Sequence, residues 1–106
     1  MKLASLNNVI ATRTLTVLSE PGSAVEVLLG KPEPDAKDFY CPYQIKGAGT
    51  EKVRCVYGVD AFQALQLALS TLRVELEALN NDLGGTLRWE CDDKGELGFP
   101  AFVGFP

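Results

Sequence analysis

The stretch VDAFQALQLALSTLRVELEALNNDL, residues 59–83, decides the fold of this chain of 106 residues. Its leucines recur at intervals of four, three, four, three and four residues, the spacing of one face of an α-helix: Leu65, Leu69, Leu72, Leu76, Leu79 and Leu83. Asp60 is a natural N-cap, and Gln63 stands where a capping box needs it. Gly84 suits the left-handed position that follows a helix. The pattern therefore predicts one long helix whose leucine face packs on a sheet.

Segments on both sides of this helix alternate between apolar and polar residues, which is the pattern of half-buried strands. They lie at residues 9–18, 24–29, 39–46, 52–57 and 86–91. Residues 30–38 carry two prolines, and we predict an exposed, extended loop there. The sequence thus predicts an α+β fold in two layers. A mainly antiparallel sheet of about five strands, in the order β-β-β-β-α-β, packs against the one long helix.

Residues 1–106 are predicted to form a single domain, because the chain is too short for two. We expect residues 1–8 to be a loose N-terminus, since their apolar run is too short for a signal peptide. Residues 97–106 contain Gly-Phe-Pro twice and form either an apolar tail that seeks another surface or a short edge strand. No run reaches the roughly 20 apolar residues that would cross a bilayer.

The predicted strands place one cation and two thiols in informative positions. Arg13 falls on the core-facing register of the first strand, so it must lie near the sheet end or meet a carboxylate. A hairpin symmetric about Ala48 would set Cys41 directly opposite Cys55, near disulfide geometry. The alternative, favoured by the odd count of three cysteines, is free thiols in a reducing cytoplasm.

The other face of the sheet is predicted to be polar and solvated; it carries Thr12, Thr14, Thr16, Gln44, Lys46, Arg54 and Arg88. Four aromatic residues either belong to the core or line a groove for a small ligand: Phe39, Tyr40, Tyr57 and Trp89. The sequence leaves both possibilities open.

The amino-acid composition limits the classes of function that this chain can have. The net charge of −4 and the scattered basic residues argue against a nucleic-acid partner, which needs a clustered basic surface. The chain has no histidine, the side chain used most often for acid–base chemistry and for binding metals. The cysteine spacings match no zinc signature, so we expect neither a metal nor another cofactor. These features favour a protein that is not an enzyme, although carboxylates, Tyr or Cys would still allow catalysis.

A second, weaker apolar stripe is predicted on nearly the opposite side of the helix: Ala64, Leu67, Thr71, Val74 and Ala78. A helix on one sheet needs only one apolar stripe, so Leu67 and Val74 require an explanation. They are either isolated apolar residues or residues covered by the C-terminal segment. The alternative is a partner surface, most simply a helix–helix contact in a homodimer.

Four motifs follow one another along the chain: Ala11-Thr12-Arg13-Thr14-Leu15, Cys41-Pro42-Tyr43-Gln44-Ile45, residues 58–69, and Leu87-Arg88-Trp89-Glu90. Together they resemble a family of small uncharacterised bacterial proteins, a domain of unknown function, over residues 9–100. The resemblance implies a bacterial origin and a cytoplasmic location. It implies no activity and no functional residues.

Three hypotheses for function remain. The first is a non-enzymatic protein-binding module with an unidentified partner, which the second stripe and the apolar C-terminal segment favour. The second is a structural homodimer with no other partner. The third is a small-ligand binder, or a minor enzyme, that uses an aromatic-lined groove and Arg13.

Overall fold

The structure is a computed structural model that describes residues 6–47, 51–90 and 94–100. In chain order its elements are β1 (Val9–Val17), β2 (Ala24–Gly30), β3 (Glu33–Asp35), β4 (Asp38–Lys46), β5 (Val53–Gly58), α1 (Ala61–Asp82) and β6 (Leu87–Trp89). The predicted α+β fold is confirmed, because an antiparallel sheet carries one helix. The described residues contain six strands, slightly more than the predicted number.

Every described strand pair in the sheet is antiparallel. β2 pairs with β1 and with β4, and β6 lies along the outer side of β1. β5 pairs with the other side of β4, because its partners on β4 overlap those of both β2 and β3. The order across the sheet is therefore β6, β1, β2, β4, β5, with β3 continuing the edge of β4 next to β2.

The short strand β3 is the element that the sequence analysis missed. It lies within residues 30–38, which were predicted to form a loop throughout. β3 and β4 form a tight hairpin in which Asp35 pairs with Asp38 and Ala36 takes a left-handed φ of 56°. Proline is rare in central strands because it lacks an N–H donor, but this strand has only three residues and a partner on one side.

The core lies between α1 and the sheet, as the leucine spacing predicted. Leu72 and Leu76 have no exposed surface, and the four other leucines of that face are partly buried against the same core. The sheet contributes buried side chains from β1, β2, β4 and β6, among them Leu15, Val25, Val27, Cys41, Tyr43 and Leu87. α1 packs chiefly on β4 and β5. It therefore lies nearer to one edge of the sheet than to the other.

The start of α1 is fixed by hydrogen bonds and by a close approach. Asp60 Oδ1 accepts a hydrogen bond from the Gln63 amide at 2.8 Å, and the Gln63 side chain accepts one from the Val59 amide at 2.7 Å. This reciprocal arrangement satisfies amides that a helix N-terminus leaves free. Gly58 must be glycine, since a Cβ there would lie 2.5 Å from the Ala64 nitrogen.

The register of β4 and β5 corrects one prediction. Cys41 pairs with Val56 and Cys55 pairs with Pro42, one residue away from the symmetric hairpin. A shift of one residue moves every side chain of a strand to the other face. The two cysteines therefore lie on opposite faces of the sheet, and both are free thiols. The disulfide hypothesis for this pair was wrong; Cys91 lies outside the described residues.

The same shift explains the position of Arg54. It was predicted on the uncovered face, but it pairs with the buried Tyr43 and its Nη1 lies 3.9 Å from a carboxylate oxygen of Glu75 on α1. Arg54 thus projects to the helix side of the sheet. The three threonines of β1, in contrast, are exposed as predicted: Thr12, Thr14 and Thr16.

The two chain ends only partly meet the predictions. Residues 6–8 precede β1 without regular structure, and residues 1–5 lie outside the described part. Residues 97–100 form no strand; instead Leu97 is buried and Phe99 packs against the core. Residues 101–106 are also outside the description. The described portion of the tail therefore places its apolar groups on the domain itself.

Candidate functional site

The predicted stripe on the outer side of α1 is only partly on the surface. Val74 is 61% exposed, Ala78 is exposed, and Leu67 and Thr71 are partly exposed. Ala64, however, has no exposed surface, because Gly58 lets the first turn of α1 approach β5 closely. Placing Ala64 on a contact surface was therefore wrong. The remaining four residues are named here the outer helix face.

Two side chains that are more exposed than Val74 lie where β5 leads into α1. Val59 is 71% exposed and Phe62 79%. We call these two residues the apolar corner. Tyr57, which is 46% exposed, pairs with Tyr40 and therefore lies on the sheet face away from α1. Within the described residues β5 pairs only with β4, so its outer edge is open next to this corner. Apolar side chains beside unpaired backbone groups are suited to contact with another chain.

The apolar corner was not predicted, although the sequence contains a signal for it. Val59 and Phe62 flank the N-cap Asp60, and neither falls on the leucine face of the helix. An apolar residue before an N-cap often packs against the residue at the fourth helical position. Here that position is Ala64, which is small and buried. Val59 is thus left exposed. The combination of Val59 before the N-cap with an alanine at the fourth helical position could have indicated this exposure.

The four aromatic residues do not form one groove. Tyr40 and Tyr57 are neighbours across β4 and β5, with ring centroids 6.3 Å apart. Phe39 packs against the core on the helix side, and Trp89 lies on β6 at the opposite edge of the sheet. The alternative of a groove lined by all four residues is therefore wrong.

The guanidinium of Arg13 lies over two aromatic rings. Its guanidinium carbon is 4.1 Å from the centroid of the Trp89 ring and 4.8 Å from that of Phe99. Its Nη1 donates to the carbonyl oxygens of Leu97 at 3.0 Å and Gly98 at 2.9 Å. Within the described ranges no carboxylate pairs with it. Carbonyl groups and ring faces take the place of the expected carboxylate.

The segment of residues 97–100 is held over β1 and β6 by these contacts. Gly98 has a φ of 83°, and a Cβ at this position would lie 2.6 Å from the Trp89 ring and 2.5 Å from Arg13 Nη1. Only glycine fits this conformation and this space. Arg73 of α1 adds a hydrogen bond of 2.7 Å to the Phe99 carbonyl. No local sequence pattern indicates this arrangement, because Arg13 and Gly98 are far apart along the chain.

A cavity of about 250 Å³ lies beside Arg13, between the sheet, the helix and this segment. Its apolar walls come from β1, β2, α1 and the C-terminal segment: Ala11, Val27, Leu29, Leu69, Leu72 and Phe99. Arg13 is the charged residue among the described lining residues. Small-molecule sites are typically concave and apolar with a few polar groups, and this cavity has that character.

A polar cluster around the buried Tyr43 joins the helix to the sheet elsewhere. The Tyr43 hydroxyl donates to Glu75 Oε2 at 2.5 Å, and Arg54 lies 3.9 Å from the same oxygen. Burial, and then the hydrogen bond to Glu75, raise the pKa of Tyr43 far above its ordinary value. The phenol thus stays protonated and acts as a hydrogen-bond donor. This cluster is suited to positioning α1 rather than to acid–base chemistry.

The thiol of Cys41 is equally unsuited to nucleophilic chemistry. Burial, with a smaller effect from Cys55, raises the pKa of Cys41 to about 11. A thiol reacts as the thiolate, so Cys41 is protected at neutral pH. In the part of the chain that the structure describes, no group of three or more acidic, Cys or His residues is placed to hold a metal ion.

Fold and sites together define a small α+β domain with an apolar corner, an outer helix face and one cavity beside an arginine. The model of a family described as "Domain of unknown function (DUF6968)" matches residues 11–101. The match covers most of the chain, so the chain belongs to this family, and its function is unknown. The resemblance to a domain of unknown function is thereby confirmed. Neither the curated proteins nor the solved structures yield a match. No helix formed by the described residues is long and apolar enough to cross a membrane.

Proposed function

We propose that this domain is a protein-binding module and that the apolar corner is its contact surface. The observation that carries the proposal is the exposure of Val59 and Phe62, 71% and 79%, beside the open edge of β5. Large apolar side chains that protrude next to each other gain the most free energy when a partner covers them. Aromatic residues in such positions often dominate binding energies.

The proposed partner is an extended segment of another protein that adds a strand to β5. Strand addition uses the free N–H and C=O groups of an edge, and side chains of the added strand then occupy neighbouring pockets. Apolar side chains of the partner would contact Phe62 and Val59. Asp60 between these two residues and the net charge of −4 favour a partner segment that carries Lys or Arg. Two free thiols among the described residues support a reducing compartment, in this proposal the bacterial cytoplasm.

The outer helix face offers a second candidate function, a homodimer. Val74 is 61% exposed in the middle of α1, and Ala78 beside it is small enough to let a second helix approach. A two-fold contact between these faces would bring Leu67, Thr71, Val74 and Ala78 of both copies together. The two candidates use different residues, so substitutions can separate them.

Site-specific photocrosslinking in the native host tests the proposal. A benzophenone side chain replaces Phe62 in one variant and Val74 in another, and crosslinked peptides are mapped by mass spectrometry. We expect position 62 to crosslink to one extended segment of a partner protein. A synthetic peptide of that segment should bind the wild-type chain and bind Phe62→Glu at least about tenfold more weakly, a loss of roughly 1.4 kcal/mol. Val74→Glu serves as the matched control and should bind normally.

Two results would contradict the proposal. If position 62 yields no crosslink, the apolar corner is not a contact surface. If crosslinks form only between copies of this chain at position 74, the domain is a homodimer. In that case Val74→Glu should halve the mass measured by sedimentation, while circular dichroism shows that the fold is retained.

A further inference from the structure

We propose that the cavity beside Arg13 binds a small apolar carboxylate, a molecule with a hydrocarbon body of about six carbon atoms and one carboxylate group. The body would occupy the apolar walls and the carboxylate would pair with the guanidinium. The cavity shares no residue with the apolar corner or with the outer helix face. The inference therefore does not depend on the proposed protein-binding function.

The size of the cavity sets the size of the ligand. Its volume is about 250 Å³, and an apolar cavity of roughly 150 Å³ is already enough to bind benzene. The difference leaves space for a carboxyl group on a ring or a short chain. Ala11 of β1 lines the cavity and is exposed, so the cavity reaches the surface beside this residue. A ligand can enter there without unfolding the domain.

The charge of the lining residues sets the charge of the ligand. Arg13 contributes a full positive charge, and the lining contains no Asp or Glu among the residues that the structure describes. An uncharged apolar ligand would gain binding free energy only from contact with the apolar walls. A cation would be repelled by Arg13. A carboxylate gains binding free energy both from the walls and from the guanidinium.

Arg13 is held in position through Nη1, and its other N–H groups are not needed for these contacts. Its Nη1 donates to the carbonyl oxygens of Leu97 and Gly98. A guanidinium has five N–H groups, and those on Nε and Nη2 are separate from the Nη1 contacts. They donate to no residue in the described ranges, and no buried side-chain nitrogen there lacks a partner. The Nε–Nη2 edge is one of the two edges that bind carboxylates through paired hydrogen bonds.

The two aromatic rings preorganise the Arg13 side chain for binding a ligand. The Trp89 and Phe99 rings both lie close to the guanidinium and restrict its movement. A side chain that is already ordered loses little conformational entropy when a ligand arrives. Lysine could not reproduce this geometry, because its ammonium group neither stacks in the same way nor forms two parallel hydrogen bonds.

A titration monitored by amide NMR spectra tests the inference on the full chain. Hexanoate is the probe, and 1-hexanol and hexylammonium are compared at the same concentrations and neutral pH. We expect saturable shifts of amides that line the cavity, such as those of Ala11, Leu29 and Leu69, with a dissociation constant of about 1 mM or below. Hexanol should bind at least about tenfold more weakly, and hexylammonium more weakly still.

Three variants locate the effect. Arg13→Met should abolish the preference for hexanoate over hexanol. Arg88→Met is the matched control, because Arg88 also donates from Nη1 to two backbone carbonyls but does not line the cavity. It should leave both affinities unchanged. Ala11→Phe fills the cavity and leaves Arg13 in place, so it should weaken hexanoate binding at least about tenfold. Thermal melting confirms that each variant is folded.

Several outcomes would overturn the inference. Equal affinities for hexanoate and hexanol would remove the role of Arg13. Shifts confined to residues outside the cavity would place the ligand elsewhere. An unchanged affinity in Ala11→Phe would show that the cavity is not the site. If hexanoate binds only after the residues beyond Pro100 are removed, the chain itself is the occupant and the inference also fails.

Discussion

The two halves of the sheet are covered by different parts of the chain, one by α1 and the other by residues 97–100. α1 covers β4 and β5 with a regular array of apolar side chains, and Leu76 of this helix has no exposed surface. The segment of residues 97–100 covers β1 and β6 through a stacked arginine and a glycine, and a cavity remains beside it. In the half under α1, which we call the regular half, evenly spaced leucines provide the packing. In the half under residues 97–100, which we call the irregular half, a few individual contacts provide it and a cavity remains.

Leucine truncations should show the largest difference between the halves. Leu76→Ala removes a fully buried side chain that does not line the cavity, and we expect a loss of roughly 2–5 kcal/mol in unfolding free energy. Leu69→Ala, two turns earlier, removes a partly buried side chain at the cavity wall, where space already exists. We expect roughly half that loss or less. Urea denaturation of both variants measures the two values. Equal losses would show that the two halves are packed alike.

Glycine substitutions test how the irregular half is held. Gly98→Ala adds strain at a positive φ and places a methyl group against the Trp89 ring, so we expect a loss of roughly 2–3 kcal/mol. Gly84→Ala is the matched control, since Gly84 also has a positive φ, 71°, but a Cβ there meets nothing within 4 Å. It should cost about 1 kcal/mol. Urea denaturation gives both values, and the fluorescence of Trp89 should change in Gly98→Ala alone. A cost for Gly98→Ala no larger than that of the control would contradict the close contact.

The same contrast explains how far the sequence could predict this molecule. The helix, its cap at Asp60 and its leucine face follow from spacings within some 25 residues, where periodicity is informative. The sheet of antiparallel strands followed from alternation. The register of β4 and β5 did not, because Cys41 is apolar in character and the candidates opposite it, Cys55 and Val56, are as well. A hydrophobic pattern that fits either register cannot choose between them.

The candidate sites were less predictable than the fold. Arg13 was identified as unusual because a cation on the core-facing register requires a partner. Its partners are 84 and 85 residues away along the chain, and the contacts are with backbone carbonyls, which any residue type can provide. No sequence pattern marks such a pairing. The burial of Ala64 likewise depends on the missing side chain of Gly58, which shifts α1 toward β5.

Alkaline titration tests how well the regular half excludes water. Burial raises the pKa of Cys41 from 9.0 to about 11, so the folded state holds this proton more tightly than the unfolded state does. The resulting stability is complete below pH 9 and is lost as the pH rises toward 11. At pH 10.5 the loss should be roughly 1–2 kcal/mol. Tyr43, whose pKa is also raised, adds a loss of the same sign at higher pH.

Cys41→Ala is the variant that isolates this effect. Its unfolding free energy should fall less between pH 8 and pH 10.5 than that of the wild type, by roughly 1–2 kcal/mol. Cys55→Ala is the matched control, because Cys55 is partly exposed on the other face of the sheet. It should keep a pH dependence close to that of the wild type. If both variants lose stability as the wild type does, water reaches Cys41.

The smallest expected change in unfolding free energy concerns two arginines, each of which connects two parts of the fold. Arg73 of α1 donates to the Phe99 carbonyl at 2.7 Å and pairs with Glu77 at 3.2 Å, so it joins the helix to the segment over the irregular half. Arg54 pairs with Glu75 at 3.9 Å with its side chain 52% exposed. A hydrogen bond from a charged donor to a partly buried carbonyl stabilises more than an exposed ion pair.

We therefore expect Arg73→Met to lower the unfolding free energy by about 1 kcal/mol and Arg54→Met to change it by less than about 0.5 kcal/mol. Iodide quenching of Trp89 fluorescence should increase in Arg73→Met and stay unchanged in Arg54→Met, because a loosened segment uncovers the ring beneath Arg13. If quenching is the same in both variants, the stack of Arg13 holds the segment without help from the helix. The two halves of the sheet would then be covered independently, and a ligand at the cavity could move the segment while α1 stays in place.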